Sequence, residues 1–239
     1  MFCELYYLPI YLESAKGLNA TLTGVGLMPI TIALLPTSVI VGALITRSGR
    51  FRWAIWSGWA TVIVSTALLI ILSAKTPTYG WALLFIPIGL GHGLVLMSLN
   101  FGIQAMARER DGAYAAAMYT FLRTFGMCLG VAIGGTVFQN MLRTHLRNAG
   151  LNEDIARDAE AFITVLKHMD ATRFPVEQYR QAYAASLRNV FEVLTGIAAL
   201  GGVMSAFISH ADMDRALDSE HVLAGEEKKN VEPTVAATT

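Results

Sequence analysis

The sequence predicts an all-α fold, a polytopic membrane helix bundle. Composition, the segregation of charge and the length of the uncharged stretches predict it. Of 239 residues, 54% are apolar and only 15% charged, and the mean hydropathy is +0.48. A soluble domain runs to about 45–50% apolar and about 25% charged. A disordered chain would be poor in apolar residues instead. Lys+Arg 18 against Asp+Glu 18 gives no net charge, so no field for nucleic acid is advertised.

The polar residues gather between long apolar stretches. Residues 22–46 and 53–74 carry no charge, and 80–107 holds His92 alone among charged or histidine side chains. Residues 113–142 hold one charge, Arg123, and 189–209 hold one, Glu192. At 1.5 Å per residue, about 20 apolar residues cross a hydrocarbon layer about 30 Å thick. Each stretch reaches that length, so five full transmembrane helices are expected. Residues 1–12 (MFCELYYLPIYL) are apolar and aromatic but too short to span, and they lack the basic region of a signal peptide. They read as the remnant of a transmembrane helix, with Tyr6, Tyr7 and Tyr11 in an interfacial belt, or as a short interfacial helix. Glu4 has no assigned place in either reading.

The connections differ in charge. Arg47, Arg50 and Arg52 in RSGRFR and Arg108 and Arg110 in RERDG oppose Lys16 and Lys75 in the alternate loops. The positive-inside rule therefore puts the two arginine-rich loops in the cytoplasm. The connection 143–188 is then extracellular and long, and long translocated loops obey that rule less strictly. Within it Ile155, Ala159, Phe162, Leu166 and Met169 recur at helical spacing after Asn152, a candidate N-cap. An amphipathic helix covering the bundle is expected there. Phe174-Pro175 breaks it, and a second helix leads into the last span. Asn19 heads an Asn-Ala-Thr glycosylation sequon in a loop expected outside. Residues 210–239 read as a cytoplasmic tail, partly disordered.

Small residues mark helix contacts. Gly89 and Gly93, then Gly126, Gly130 and Gly134, repeat every four residues, the small-xxx-small spacing that lets backbones approach in lipid. Polar groups within the spans are the candidates for a substrate or coupling path: Arg123, His92, Asn100, Gln104 and Glu192. Arg123 shares a helix face with Gly130 and is expected to point at protein or a water-filled cavity, as an anion or coupling site, or else to act as an interhelical staple or snorkel toward the cytoplasm. His92 reads as a proton relay or as a helix-to-helix hydrogen bond. Asn100 and Gln104, one turn apart, line a path or bond across helices. Glu192 sits near a helix end.

Soluble-enzyme chemistry is missing from the pattern, and no enzyme is expected. Gly89 to Gly93 is not a dinucleotide fingerprint, because Leu94 replaces a required glycine. There is no P-loop, no His-Glu-x-x-His and no nucleophile elbow. The five histidines show no metal-ligand spacing, and Cys3 and Cys128 define no disulfide or redox motif. No cofactor is expected.

The stretch Gly42-Ala-Leu-Ile-Thr-Arg47-Ser-Gly49-Arg50-Phe-Arg52 resembles the signature loop of the major facilitator superfamily, in the degenerate copy of its C-terminal half, with Thr46 where Asp would stand. Tyr6 to Pro29 and Phe121 to Asn140 resemble the last third of the 14-helix drug:proton antiporters, above all fungal multidrug and toxin exporters. The resemblance covers roughly Met1 to His210. It implies the C-terminal half of a major facilitator fold, exporting hydrophobic small molecules against proton entry by alternating access in the plasma membrane. It implies a gating role for Arg47, Gly49 and Arg50, in a loop that also holds Arg52, with Gly42 packing the helix end. The N-terminal half and its coupling acid are not in this sequence, so the chain is expected to be part of a carrier, inactive alone. The alternative is a non-transporting membrane subunit that associates through its glycine faces.

Overall fold

The computed structural model describes residues 1–107, 111–169 and 174–208. The helices are α1 Phe2–Ser14, α2 Ala20–Ser48, α3 Arg52–Leu69, α4 Thr78–Met106, α5 Gly112–Asn148, α6 Ala159–His168 and α7 Val176–Ala206. A 3₁₀ turn, Glu153–Asp158, precedes α6. The described residues contain no strand. Four helices, α2, α4, α5 and α7, are long and apolar enough to cross a membrane. The RERDG arginines and the tail 210–239 lie outside the described residues.

Local signals set several helix ends. Asn19 caps α2 by accepting a hydrogen bond from the Leu22 N–H at 2.8 Å. Gly49 ends α2 in the left-handed region (φ 63°), where a Cβ would be strained, and its N–H reaches the Ile45 carbonyl. Asn152 caps the 3₁₀ turn through the Asp154 N–H.

Glycines set the main crossings. Gly89 and Gly93 of α4 lie against the backbone of α2 at Ile30 and Leu34, while Gly58 of α3 and Gly91 of α4 interleave with Val95 and Val62. Gly201 and Gly202 of α7 receive Trp59 and Ile63 of α3. Gly134 of α5 receives Tyr7 and Cys3 of α1. Such close approach is how apolar helices associate where lipid offers no hydrophobic driving force between them.

The larger core surrounds α1. Tyr7, Leu8, Tyr11 and Leu12 are buried together with Phe85, Phe138, Leu142, Tyr183, Leu187 and Phe191. A smaller core at the RSGRFR end gathers Val41, Ile45, Phe51, Ala54 and Ile55. Tyr7 and Tyr11 thus do not form an interfacial belt. Both hydroxyls point inward, Tyr7 to the Val131 carbonyl at 3.2 Å and Tyr11 to the Ser73 carbonyl at 2.8 Å. Tyr6 alone is exposed, and it donates to Glu160 at 2.6 Å.

Three helix boundaries differ markedly from those expected. Helix α3 stops at Leu69 rather than reaching residue 74, leaving it 18 residues long. The chain beyond turns because Tyr11 binds Ser73, and Lys16 Nζ donates to the Ala74 and Thr76 carbonyls at 2.7 and 2.5 Å. Burial lowers the pKa of that ammonium, with the charge of Glu177 opposing. The connection 143–188 is also more helical than expected. Helix α5 runs on to Asn148 because Leu142 and Leu146 remain fully buried, and α7 begins at Val176 because Tyr179, Tyr183 and Leu187 face the core.

Candidate functional site

The polar residues within the spans do not converge on one place. Arg123 is exposed on α5 rather than packed. Among the described residues, no helix of this chain packs over it: α1 meets α5 from Gly130 to Phe138, whereas Gly126 has nothing within 4 Å of its Cβ position. Asn100 and Gln104 bond to each other along α4, Gln104 Nε2 donating to Asn100 Oδ1 at 2.6 Å, and not across helices. Glu192 is an exposed partner of its own helix, accepting from Arg188 Nε at 3.2 Å and from Asn189 Nδ2 at 3.1 Å. Such an exposed i, i+4 pair contributes only about 0.3–0.5 kcal/mol.

His92 is different. It lies half-way along α4 and is 6% exposed. Its Nε2 stands 3.1 Å from Oε2 of Glu4, which is itself 3% exposed. Its Nδ1 lies 2.8 Å from the Ile88 carbonyl. The Thr66 hydroxyl of α3 lies 2.9 Å from Glu4 Oε1 and 2.7 Å from the Val62 carbonyl, two acceptors for its one hydrogen. Glu4 Oε2 accepts no aligned hydrogen bond. The nitrogen of Met1 is 3.0 Å from it. Three helices thus bring a carboxylate, an imidazole and a hydroxyl together in the apolar interior. Sequence reading left Glu4 without a place. The available signal was a lone acid in an apolar helix, which marks function by default in a membrane.

The RSGRFR loop presents Arg47 and Arg50 to solvent. Arg52 stacks its guanidinium 4.7 Å from the Trp56 ring centroid. Gly42 faces Phe101 of α4 at ordinary contact distance, 3.6 Å. Thr46, standing where an Asp would be, spends its hydroxyl on the Gly42 carbonyl at 2.9 Å. Asn19 is exposed and occupied as the α2 cap.

Helix α6 closes the opposite end of the bundle. Ala159, Ile163 and Leu166 are buried against it, and Tyr183 donates to the Ala159 carbonyl at 2.7 Å. Lys167 pairs with Glu13 at 2.7 Å. Beside it opens a cleft of about 490 Å³ whose lining includes Tyr6, Tyr7, Gln139, Arg157 and Glu160. Among the described residues no cluster of three or more His, Cys, Asp or Glu side chains stands ready for a metal ion.

A bundle of long apolar helices with glycine-mediated crossings and buried ionisable groups defines an integral, multi-pass membrane protein. The sequence profile of the Major Facilitator Superfamily matches residues 1–131, and the chain belongs to that transporter family. It is similar to the MFS transporter L2 of Phoma sp., 37% identical over 224 residues, which cover 92% of this chain and 37% of the relative. It is also similar to the MFS efflux transporter aclA of Aspergillus oryzae, 29% identical over 227 residues, covering 94% of this chain and 41% of the relative. The efflux pump FUS6 of Gibberella fujikuroi is 29% identical over 235 residues, with 94% and 41% covered. The chain thus spans about two fifths of the length of the curated relatives it matches.

Proposed function

We propose that this chain supplies the C-terminal half-bundle of a proton-coupled exporter of hydrophobic small molecules, working by alternating access. Transport then requires a companion half, and the chain alone is inactive. The observation that carries this reading is the state of α5. It is the least buried of the four long apolar helices, and it exposes Arg123 together with Phe121, Leu122 and Phe125. An arginine in an otherwise uncharged span costs about 2.5–3.5 kcal/mol at the centre of a bilayer, so it needs a protein partner or a wet cleft. A companion half across that face provides both, and alternating access places the substrate between the halves. Two of the relatives are named as efflux proteins, which agrees with this direction of transport. The basic loop 47–52 gates the cytoplasmic side, and Asn100 and Gln104 line the approach to it. The address is the plasma membrane.

Association as a scaffold through glycine faces is the weaker reading. Gly89, Gly93 and Gly134 are already occupied by α2 and α1 of the same chain. The test is efflux of a hydrophobic fluorescent dye from proteoliposomes under an imposed pH gradient. The chain is joined to the N-terminal spans of the Phoma relative. Gradient-driven efflux that Arg123→Ala abolishes is the expected result. Efflux indifferent to the gradient would overturn proton coupling, and efflux unaffected by Arg123→Ala would remove Arg123 from the path. No efflux from the joined protein, correctly inserted and folded, would overturn the transport reading.

A further inference from the structure

Glu4 and His92 meet in an environment that tolerates only certain proton counts. The Ile88 carbonyl can only accept, so His92 Nδ1 carries a hydrogen and Nε2 is left facing Glu4. Oε1 of Glu4 faces the Thr66 hydroxyl, while Oε2 faces His92 Nε2 and the Met1 nitrogen without an aligned hydrogen bond. With no proton between them, a nitrogen lone pair faces a carboxylate oxygen at 3.1 Å in an apolar interior, and the nearest cation is the partly exposed Met1 ammonium, 3.0 Å from Oε2. With two protons, an imidazolium faces a neutral acid, and a positive charge is left over. With one proton the pair is neutral overall, whether written as imidazolium and carboxylate or as imidazole and carboxylic acid.

The geometry points to a one-proton site in which Glu4 and His92 bind a single shared proton that latches α1 to α4, so that loss of the proton to water releases the latch. No covalent bond other than the N–H or O–H changes, and the released pair keeps one negative charge on Glu4. Thr66 of α3 is a positioning residue, holding the carboxylate so that Oε2 faces the imidazole. The titratable groups around the site are few. Helix α1 adds the Cys3 thiol, and the Met1 amino group approaches Oε2. Among the described residues, no charged side chain of α2, α3, α5 or α7 acts on either member of the pair. The latch rests on the proton-coupled reading for its purpose but not for its existence.

Its test therefore needs no transport. The full chain is purified in detergent, with and without an N-terminal extension that turns the Met1 amine into an amide, and is melted between about pH 5 and about pH 9, across the range where histidine changes charge. The wild-type melting temperature is expected to fall as the pH rises, because the closed pair must surrender its proton, and the extension should leave that slope in place. In Glu4→Gln the side-chain amide donates to Nε2 where the shared proton was, so the profile should lose this slope. A flat wild-type profile, a slope unchanged in Glu4→Gln, or a slope that vanishes with the extension would each overturn the latch. Ring ¹⁵N spectra of the wild type, with His92 assigned by difference from His92→Gln, give a second reading that does not depend on the glutamine variant folding. Nδ1 should stay protonated throughout while Nε2 changes state over the same range, and an Nε2–H neutral tautomer would overturn the assignment. Failure here leaves the efflux experiment untouched, and failure of efflux leaves this titration standing.

Discussion

Among the described glycines, Gly89 has the closest neighbour. A Cβ there would collide with the Ile30 carbonyl oxygen and lie 2.8 Å from the Ala33 Cβ. A helix backbone cannot step aside as the tip of a side chain can. Gly89→Ala is therefore expected to cost about 1–3 kcal/mol, read as a lowered melting temperature in detergent. Gly126 has open space around it, so Gly126→Ala is expected to be neutral or to stabilise by up to about 1 kcal/mol through helix propensity. Equal losses at the two positions would refute this division. The four-residue glycine spacing was legible in the sequence, and it read the same at both sites. Only the neighbours distinguish them, because a spacing along one helix says nothing about which helix lies opposite. The same limit applies to Glu4. Its acidity in an apolar helix was visible, but its partner came from α4.

Among the elements, α6 carries the clearest balance of forces. It is held by the buried side chains of Ala159, Ile163 and Leu166 and by a partly exposed ion pair, Lys167 with Glu13. Burial outweighs the pair here, since partly exposed ion pairs contribute about 0–1 kcal/mol. Leu166→Ala is expected to cost about 2–5 kcal/mol by loss of transfer energy and the cavity left behind. Lys167→Ala should cost less than about 1 kcal/mol. Hydrogen exchange across 153–169 reads both, and a larger effect at Lys167 would mean that charge holds the cover. The amphipathic period made this helix readable, with Asn152 before it and Phe174-Pro175 after it. The lengths of α5 and α7 were not readable, because polarity marked 143–188 as a loop while buried Leu146, Tyr179 and Tyr183 kept both helices wound. Hydropathy reports which solvent a segment meets, not whether it is helical.

At the scale of the whole molecule, the described surface is rich in exposed large apolar side chains, among them Ile32, Leu35, Val39, Phe121, Phe125 and Leu200. Water does not accept so much contiguous apolar surface, and lipid or a companion half does. Cys128 is exposed on α5, and Cys3 is buried. A membrane-permeant maleimide is expected to label Cys128 in the chain alone and to label it more slowly once a companion half is present. An unchanged rate would place that side of α5 against lipid in the assembled carrier.

The membrane class, the helical architecture and the family were decided by the sequence alone. Uncharged length and the positions of glycine, proline and arginine are one-dimensional properties, and the bilayer reads them segment by segment. Tertiary structure decided which polar groups meet. It set Arg123 on an open face, bound Asn100 to Gln104 within one helix, and carried Glu4 to His92 and Thr66. Those pairings depend on where helices cross, and the crossings follow from the packing of glycines and large side chains between segments far apart in the chain.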